Sequence, residues 1–115
     1  MTYSDVCKSL FDNQGGYYVD EGAITIFTAE KQVKKLLAIN KLMNVAKYLN
    51  NGWKPDWDNS GEQKYYIYVS YGNIIIDYVY CQEGNDIYFK SEELAHQAID
   101  ILGEDEIRLV LSTDY

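Results

Sequence analysis

The apolar positions of the chain fall into two kinds of period. From Thr28 to Asn50, Leu36, Ile39, Leu42, Met43, Ala46 and Leu49 recur at three- and four-residue steps, with Val33 extending the row. That spacing predicts one long amphipathic helix. Thr28 is the expected N-cap, Glu30 suits the positive end of the helix dipole, and Asn51-Gly52 supplies a stop. A second helix is expected over Glu92–Leu102, capped by Ser91 and ended by Gly103, with Leu94, Ala95, Ala98, Ile99 and Leu102 facing inward. Shorter terminal helices are expected over Asp5–Phe11, with Ser4 as cap, and over Glu104–Leu111.

Between the helices the period drops to two. Tyr65–Ser70 and Ile74–Cys81 read as strands around Tyr71-Gly72-Asn73, a hairpin by turn chemistry. Glu83-Gly84-Asn85 is a further turn, and Asp86–Phe89 a third strand. Upstream, Asp20-Glu21-Gly22 separates two short extended runs, Gly16–Val19 and Ala23–Phe27. The expected fold is therefore α+β, one domain over residues 1–115. An antiparallel three- to five-stranded meander carries the helices 29–50 and 92–102 on one face. The expected core is Phe27, Val33, Leu36, Ile39, Leu42, Met43, Leu49, Ile67, Val69, Ile74, Ile76, Phe89, Leu94, Ala98, Ile99 and Leu102.

Composition adds one unusual feature: twelve tyrosines against three phenylalanines. A tyrosine has an apolar body and a polar tip, which suits a half-buried sheet face or a contact surface. The second strand has no strongly polar face, so it reads as covered on one side and fringed with tyrosine tips on the other. No segment reaches the ~20 consecutive apolar residues that span a bilayer. No signal-peptide pattern opens the chain, so the expected location is the cytoplasm.

Charge is distributed unevenly. Residues 28–54 hold six lysines and one acid, +5; residues 55–115 hold thirteen acids and three bases, −10; the whole chain is −8. This acidity argues against direct nucleic-acid binding, which needs phosphate neutralisation. It favours a basic partner instead. Lys31, Lys34, Lys41 and Lys47 are the only basic row, and read first as a solvated face.

No chemistry-bearing motif stands out. Cys7, Cys81 and the single histidine, His96, are too few for a zinc site of Cys and His, and nothing in the sequence pairs a thiol with the imidazole. Nucleophile-elbow, P-loop and dinucleotide glycine patterns are absent. No enzyme, cofactor or metal is expected. Asp56, Asp58, Ser60 and Gly61 match half an EF-hand loop, but its twelfth position is Ile67, where a bidentate glutamate is required. A polar turn is the better reading.

The candidate site is the loop Trp53–Lys64. Trp53 and Trp57 flank Pro55, which fixes one backbone angle. Two readings stand: a lid folded over the end of the sheet, or a binding face formed by Trp53, Pro55, Asp56, Trp57, Asp58 and Tyr65. The acidic run Glu104, Asp105 and Glu106 is a second candidate contact.

Three stretches carry a resemblance: Lys35–Leu42 with Val45–Asn50; Gly52-Trp53-Lys54-Pro55-Asp56-Trp57 with Tyr65-Tyr66-Ile67; and Ile87–Ala95 with Ala98, Ile99, Leu102 and Gly103. Over most of residues 27–115 they resemble a family of small uncharacterised proteins from tailed phages, prophages and mobile elements of gut bacteria. The resemblance implies a bacterial host cytoplasm and no particular activity. The functional expectation is a non-catalytic, acidic protein-interaction module that binds a basic host or phage protein. Counter-defence, by occupying a nuclease's basic groove, is one form of it. The alternative is a small-ligand or nucleotide-binding module using the tryptophan loop. A homodimer stays open.

Overall fold

The computed structural model describes residues 1–12, 28–84 and 86–114. The expected extended runs 16–19 and 23–27, and Phe27 in the expected core, lie outside the described residues. The element order is α1 (Tyr3–Phe11), α2 (Glu30–Asn50), β1 (Lys64–Ser70), β2 (Asn73–Val79), α3 (Glu92–Leu102) and α4 (Glu104–Leu111). The fold is α+β. Among the described residues no helix is long and apolar enough to cross a membrane.

The helix ends follow local chemistry, sometimes one or two residues from where it was expected. Thr2, not Ser4, caps α1: its hydroxyl accepts from Asp5 N–H at 3.3 Å, and the Asp5 carboxylate accepts from Thr2 N–H at 2.8 Å. This is a reciprocal capping box. Ala29, not Thr28, occupies the cap position of α2; it has no side-chain acceptor, and Gln32 Oε1 accepts its N–H at 2.9 Å. Asn51 itself turns left-handed (φ +46) to end α2, and Gly52 follows at φ +90. Ser91 caps α3 as expected, its Oγ accepting from Leu94 N–H at 3.2 Å.

β1 and β2 form an antiparallel hairpin in the register Tyr65↔Tyr78, Ile67↔Ile76 and Val69↔Ile74. Among the described residues the sheet has two strands, not three to five. The expected third strand shrinks to a single bridge, in which Tyr65 and Phe89 exchange backbone bonds of 3.0 and 2.8 Å. Pairing stops there because the chain must turn at Ser91 to start α3. The Asn50 side chain takes over instead. Its amide donates to Tyr88 O at 2.9 Å, and its carbonyl accepts from Lys90 N–H at 3.0 Å. The end of α2 thus holds residues 88–90 as a neighbouring strand would.

The helix layer also differs from expectation. The hairpin rests mainly on α3 and α4, while α2 lies behind them with α1 beside it. Val6, Leu42, Val45, Ala46, Ile67, Phe89, Ala95, Ala98 and Ile107 form the shared buried cluster. Leu36 and Met43, expected in the core, are 48% and 50% exposed. An α-helix turns about 100° per residue, so Met43 stands a quarter-turn from its buried neighbour Leu42. The buried arc is completed by the smaller Ala38, Val45 and Ala46. Val69 is also more exposed than expected, at 38%.

Arg108 ties α4 to the hairpin tip, donating to Gly72 O at 2.6 Å. The tip is a two-residue turn with Tyr71 at φ +50 and Gly72 at φ +79. Positive φ at both positions is the type I′ pattern, which matches the twist of the flanking strands.

Candidate functional site

The hairpin has two unlike faces. Tyr65, Ile67, Val69, Ile74, Ile76 and Tyr78 share the inner face through the strand register, and Ile67 is buried there. Lys64, Tyr66, Tyr68, Ile75, Asp77 and Val79 share the outer face. The loop between α2 and β1 closes over one end of that outer face.

Lys64 organises the loop. Its side chain is fully buried, and its ammonium donates to Asn59 O at 3.1 Å, Glu62 O at 3.0 Å and Tyr80 O at 2.6 Å. All three donors of the group are therefore used. The Glu62 carboxylate lies 3.4 Å away, and the Trp57 ring covers the ammonium at 5.3 Å from its centroid. Burying an ammonium costs several kcal/mol unless it is paired and hydrogen-bonded. Here both conditions are met.

Glu62 gathers the rest of the loop. One oxygen accepts from Asp56 N–H at 2.9 Å and the other from the Trp53 indole N–H at 3.3 Å. The Asp56 N–H bond, then the Trp53 and Lys64 contacts, hold the Glu62 carboxyl below its ordinary range. Asp56 accepts from Asp58 N–H at 3.1 Å, and Asn59 from Gly61 N–H at 2.9 Å. Asp56 is thus engaged in a local backbone turn.

Beyond the loop runs a row of four rings. Trp57 meets Tyr88 edge-on at 4.9 Å; Tyr88 meets Tyr66 at 6.3 Å; Tyr66 meets Tyr68 at 5.7 Å. These separations are those of favourable aromatic pairs. Tyr88 is fixed by its hydroxyl, which accepts from Gly84 N–H at 2.9 Å. Burial, then the negative charges of Asp77 and Asp86, raises the Tyr66 hydroxyl above its usual pKa. Asp77 stands directly across the hairpin from Tyr66, Asp86 lies two residues before Tyr88, and both are exposed. The outer face therefore offers aromatic faces bordered by acid.

The residues expected to form the site are divided by the structure. Trp53, Pro55, Asp56, Trp57 and Asp58 share the loop, but no ring contact pairs Trp53 with Trp57 among the described residues. Tyr65 points to the opposite face, where its hydroxyl donates to Gln63 at 2.8 Å and its ring packs on Tyr78. Glu104, Asp105 and Glu106 form the first turn of α4, the helix tied to the hairpin tip; the strand between tip and loop spans about 20 Å. Two of these acids are internally engaged: Glu106 pairs with Lys41 at 3.1 Å and Glu104 with Arg108 at 4.0 Å. Three lysines of the α2 row are likewise partnered, Lys31 with Asp114 at 2.9 Å, Lys34 with Glu30 at 3.2 Å and Lys41 with that same Glu106, whereas Lys47 has no such partner among the described residues. His96 faces Glu92 at 3.7 Å on the exposed side of α3, while Cys7 lies beside Tyr3 on α1.

Tyr66, Tyr68, Asp77, Asp86 and Tyr88 were not singled out from sequence. Strand alternation puts Tyr66, Tyr68 and their partner Asp77 on one face, so part of the signal was present. Glu62 and Lys64 carried no signal beyond proximity.

No protein-family model matches the chain, and no curated protein and no solved structure is significantly similar to it.

Proposed function

We propose that this protein is a non-catalytic interaction module whose outer hairpin face binds a basic partner protein. The row Trp57–Tyr88–Tyr66–Tyr68, bordered by Asp77 and Asp86, carries the reading. Aromatic faces attract lysine and, above all, arginine side chains, and nearby carboxylates supply charge-assisted bonds. A net charge of −8 would steer a cationic partner toward the molecule. The site expected in the loop and acidic helix thereby moves to the hairpin, with the loop as its edge.

The resemblance to phage and mobile-element proteins supplies a setting. In a bacterial host cytoplasm, an acidic aromatic face would fit the basic groove of a nucleic-acid-handling protein and exclude its substrate. Inhibition of a host defence protein is the specific form we propose.

Capture from nuclease-treated bacterial lysate tests this. The expected result is one basic protein, released by raised salt, retained by Glu104→Lys/Asp105→Lys but not by Asp77→Lys/Asp86→Lys. Retention indifferent to both salt and the Asp77/Asp86 change would refute the proposal.

A further inference from the structure

A second surface has the opposite electrostatic character. A groove of about 930 Å³ runs between the end of α2, the start of the loop, α1 and α3. Its apolar lining includes Leu10, Leu49, Leu94 and Trp53; Lys47 and Lys54 also line it. In a chain with eighteen acids, none of the described lining residues is acidic. Lys47 and Lys54 also have no acidic side chain within ion-pair distance among the described residues, unlike Lys31, Lys34, Lys41 and Lys64. The C-terminal end of α2 adds roughly half a negative charge nearby, which two full positive charges outweigh.

We propose that this groove binds a small organic anion with an apolar body. The body lies against the leucines and Trp53, and the anionic head is held by Lys47 and Lys54. The volume lies within the ~300–1,000 Å³ usual for small-molecule sites, and a mostly apolar lining with a few polar groups is the usual composition. The cations set the ligand's charge: a neutral ligand would leave them unused, and a cation would be repelled. This site is independent of the outer hairpin face, and either can fail without the other.

Calorimetric titration of the whole chain tests it, using laurate and adenosine monophosphate as anionic probes. Dodecanol and adenosine serve as their neutral counterparts. Saturable binding of one anion is expected, with a change in tryptophan emission, and the probe that binds shows whether the body is a chain or a planar ring. Lys47→Ala/Lys54→Ala should weaken binding about tenfold or more, the loss of a charge-assisted contact. Its thermal stability should stay unchanged, because both side chains are exposed. Asp77→Lys/Asp86→Lys should leave binding intact. The proposal is overturned if neither anion binds saturably, if the neutral counterpart binds equally well, or if the double lysine variant binds as tightly as the parent.

Discussion

The ammonium of Lys64, without solvent exposure, sits 5.3 Å from the centre of the Trp57 ring and beneath the loop that carries it. With the bonds of Lys64 to Asn59 O and Glu62 O, this contact joins the loop to the hairpin. It also positions Trp57 as the first ring of the outer aromatic row. The charge is tolerated because three backbone carbonyls and Glu62 replace the water it gave up.

Lys64→Met should therefore leave three carbonyls and a carboxylate without their shared donor. A buried carbonyl left without its donor typically costs about 1–3 kcal/mol. We expect a loss of about 3 kcal/mol in urea denaturation, with tryptophan emission shifted to the red as the loop loosens. A stability change below about 1 kcal/mol, the level of an exposed pair, would show that Lys64 is not the anchor.

Acid should release the same loop. The Glu62 carboxyl is depressed in the folded state, chiefly by the Asp56 N–H bond. Its stabilisation is thus fully present above the unfolded glutamate pKa of about 4.3, and is lost as pH falls through the lowered folded value. Asp5, depressed by its Thr2 bonds, adds to the same limb at α1. Tryptophan emission followed below about pH 4 should show a step that Glu62→Gln lacks. The same step in both proteins would assign it elsewhere.

The hairpin tip is less than optimal for folding. Tyr71 is fully exposed at φ +50, a backbone region that asparagine occupies more readily. Tyr71→Asn creates the favoured Asn-Gly type I′ turn and should stabilise the protein by about 1 kcal/mol. Thermal melting checks this. A lower melting temperature would mean that the tyrosine ring makes a stabilising contact that its full exposure contradicts.

These residues also show where sequence reading succeeds and stops. Ser91 and the α3 stripe were legible because a cap and a helical period are local. The hairpin was legible from its turn residues and the alternation around them, but its register was not: the turn is Tyr71-Gly72 alone, and Asn73 already pairs with Ser70. Leu36 and Met43 fit the apolar spacing yet lie at the edge of the stripe, because the arc that packs runs through Val33, Ala38, Leu42, Val45 and Ala46, whose small members allow close approach. Lys64 was opaque: a lysine opening a strand normally faces water, and its burial depends on a loop folding back from Trp53. The third strand was cut short by the start of α3 and by Asn50, a side chain forty residues from Lys90 that no local pattern connects to it.

The outer hairpin face as a cation-binding surface is tested most directly by amide chemical-shift mapping with a nona-arginine peptide. At low salt, the shifts should concentrate at residues 57, 66–68, 77 and 86–88. They should fade near 0.15 M salt, where exposed charges are screened beyond about 8 Å, and disappear in Asp77→Lys/Asp86→Lys. Shifts centred on residues 104–106, or undiminished in that variant, would contradict the account and return the acidic turn of α4 as the contact surface.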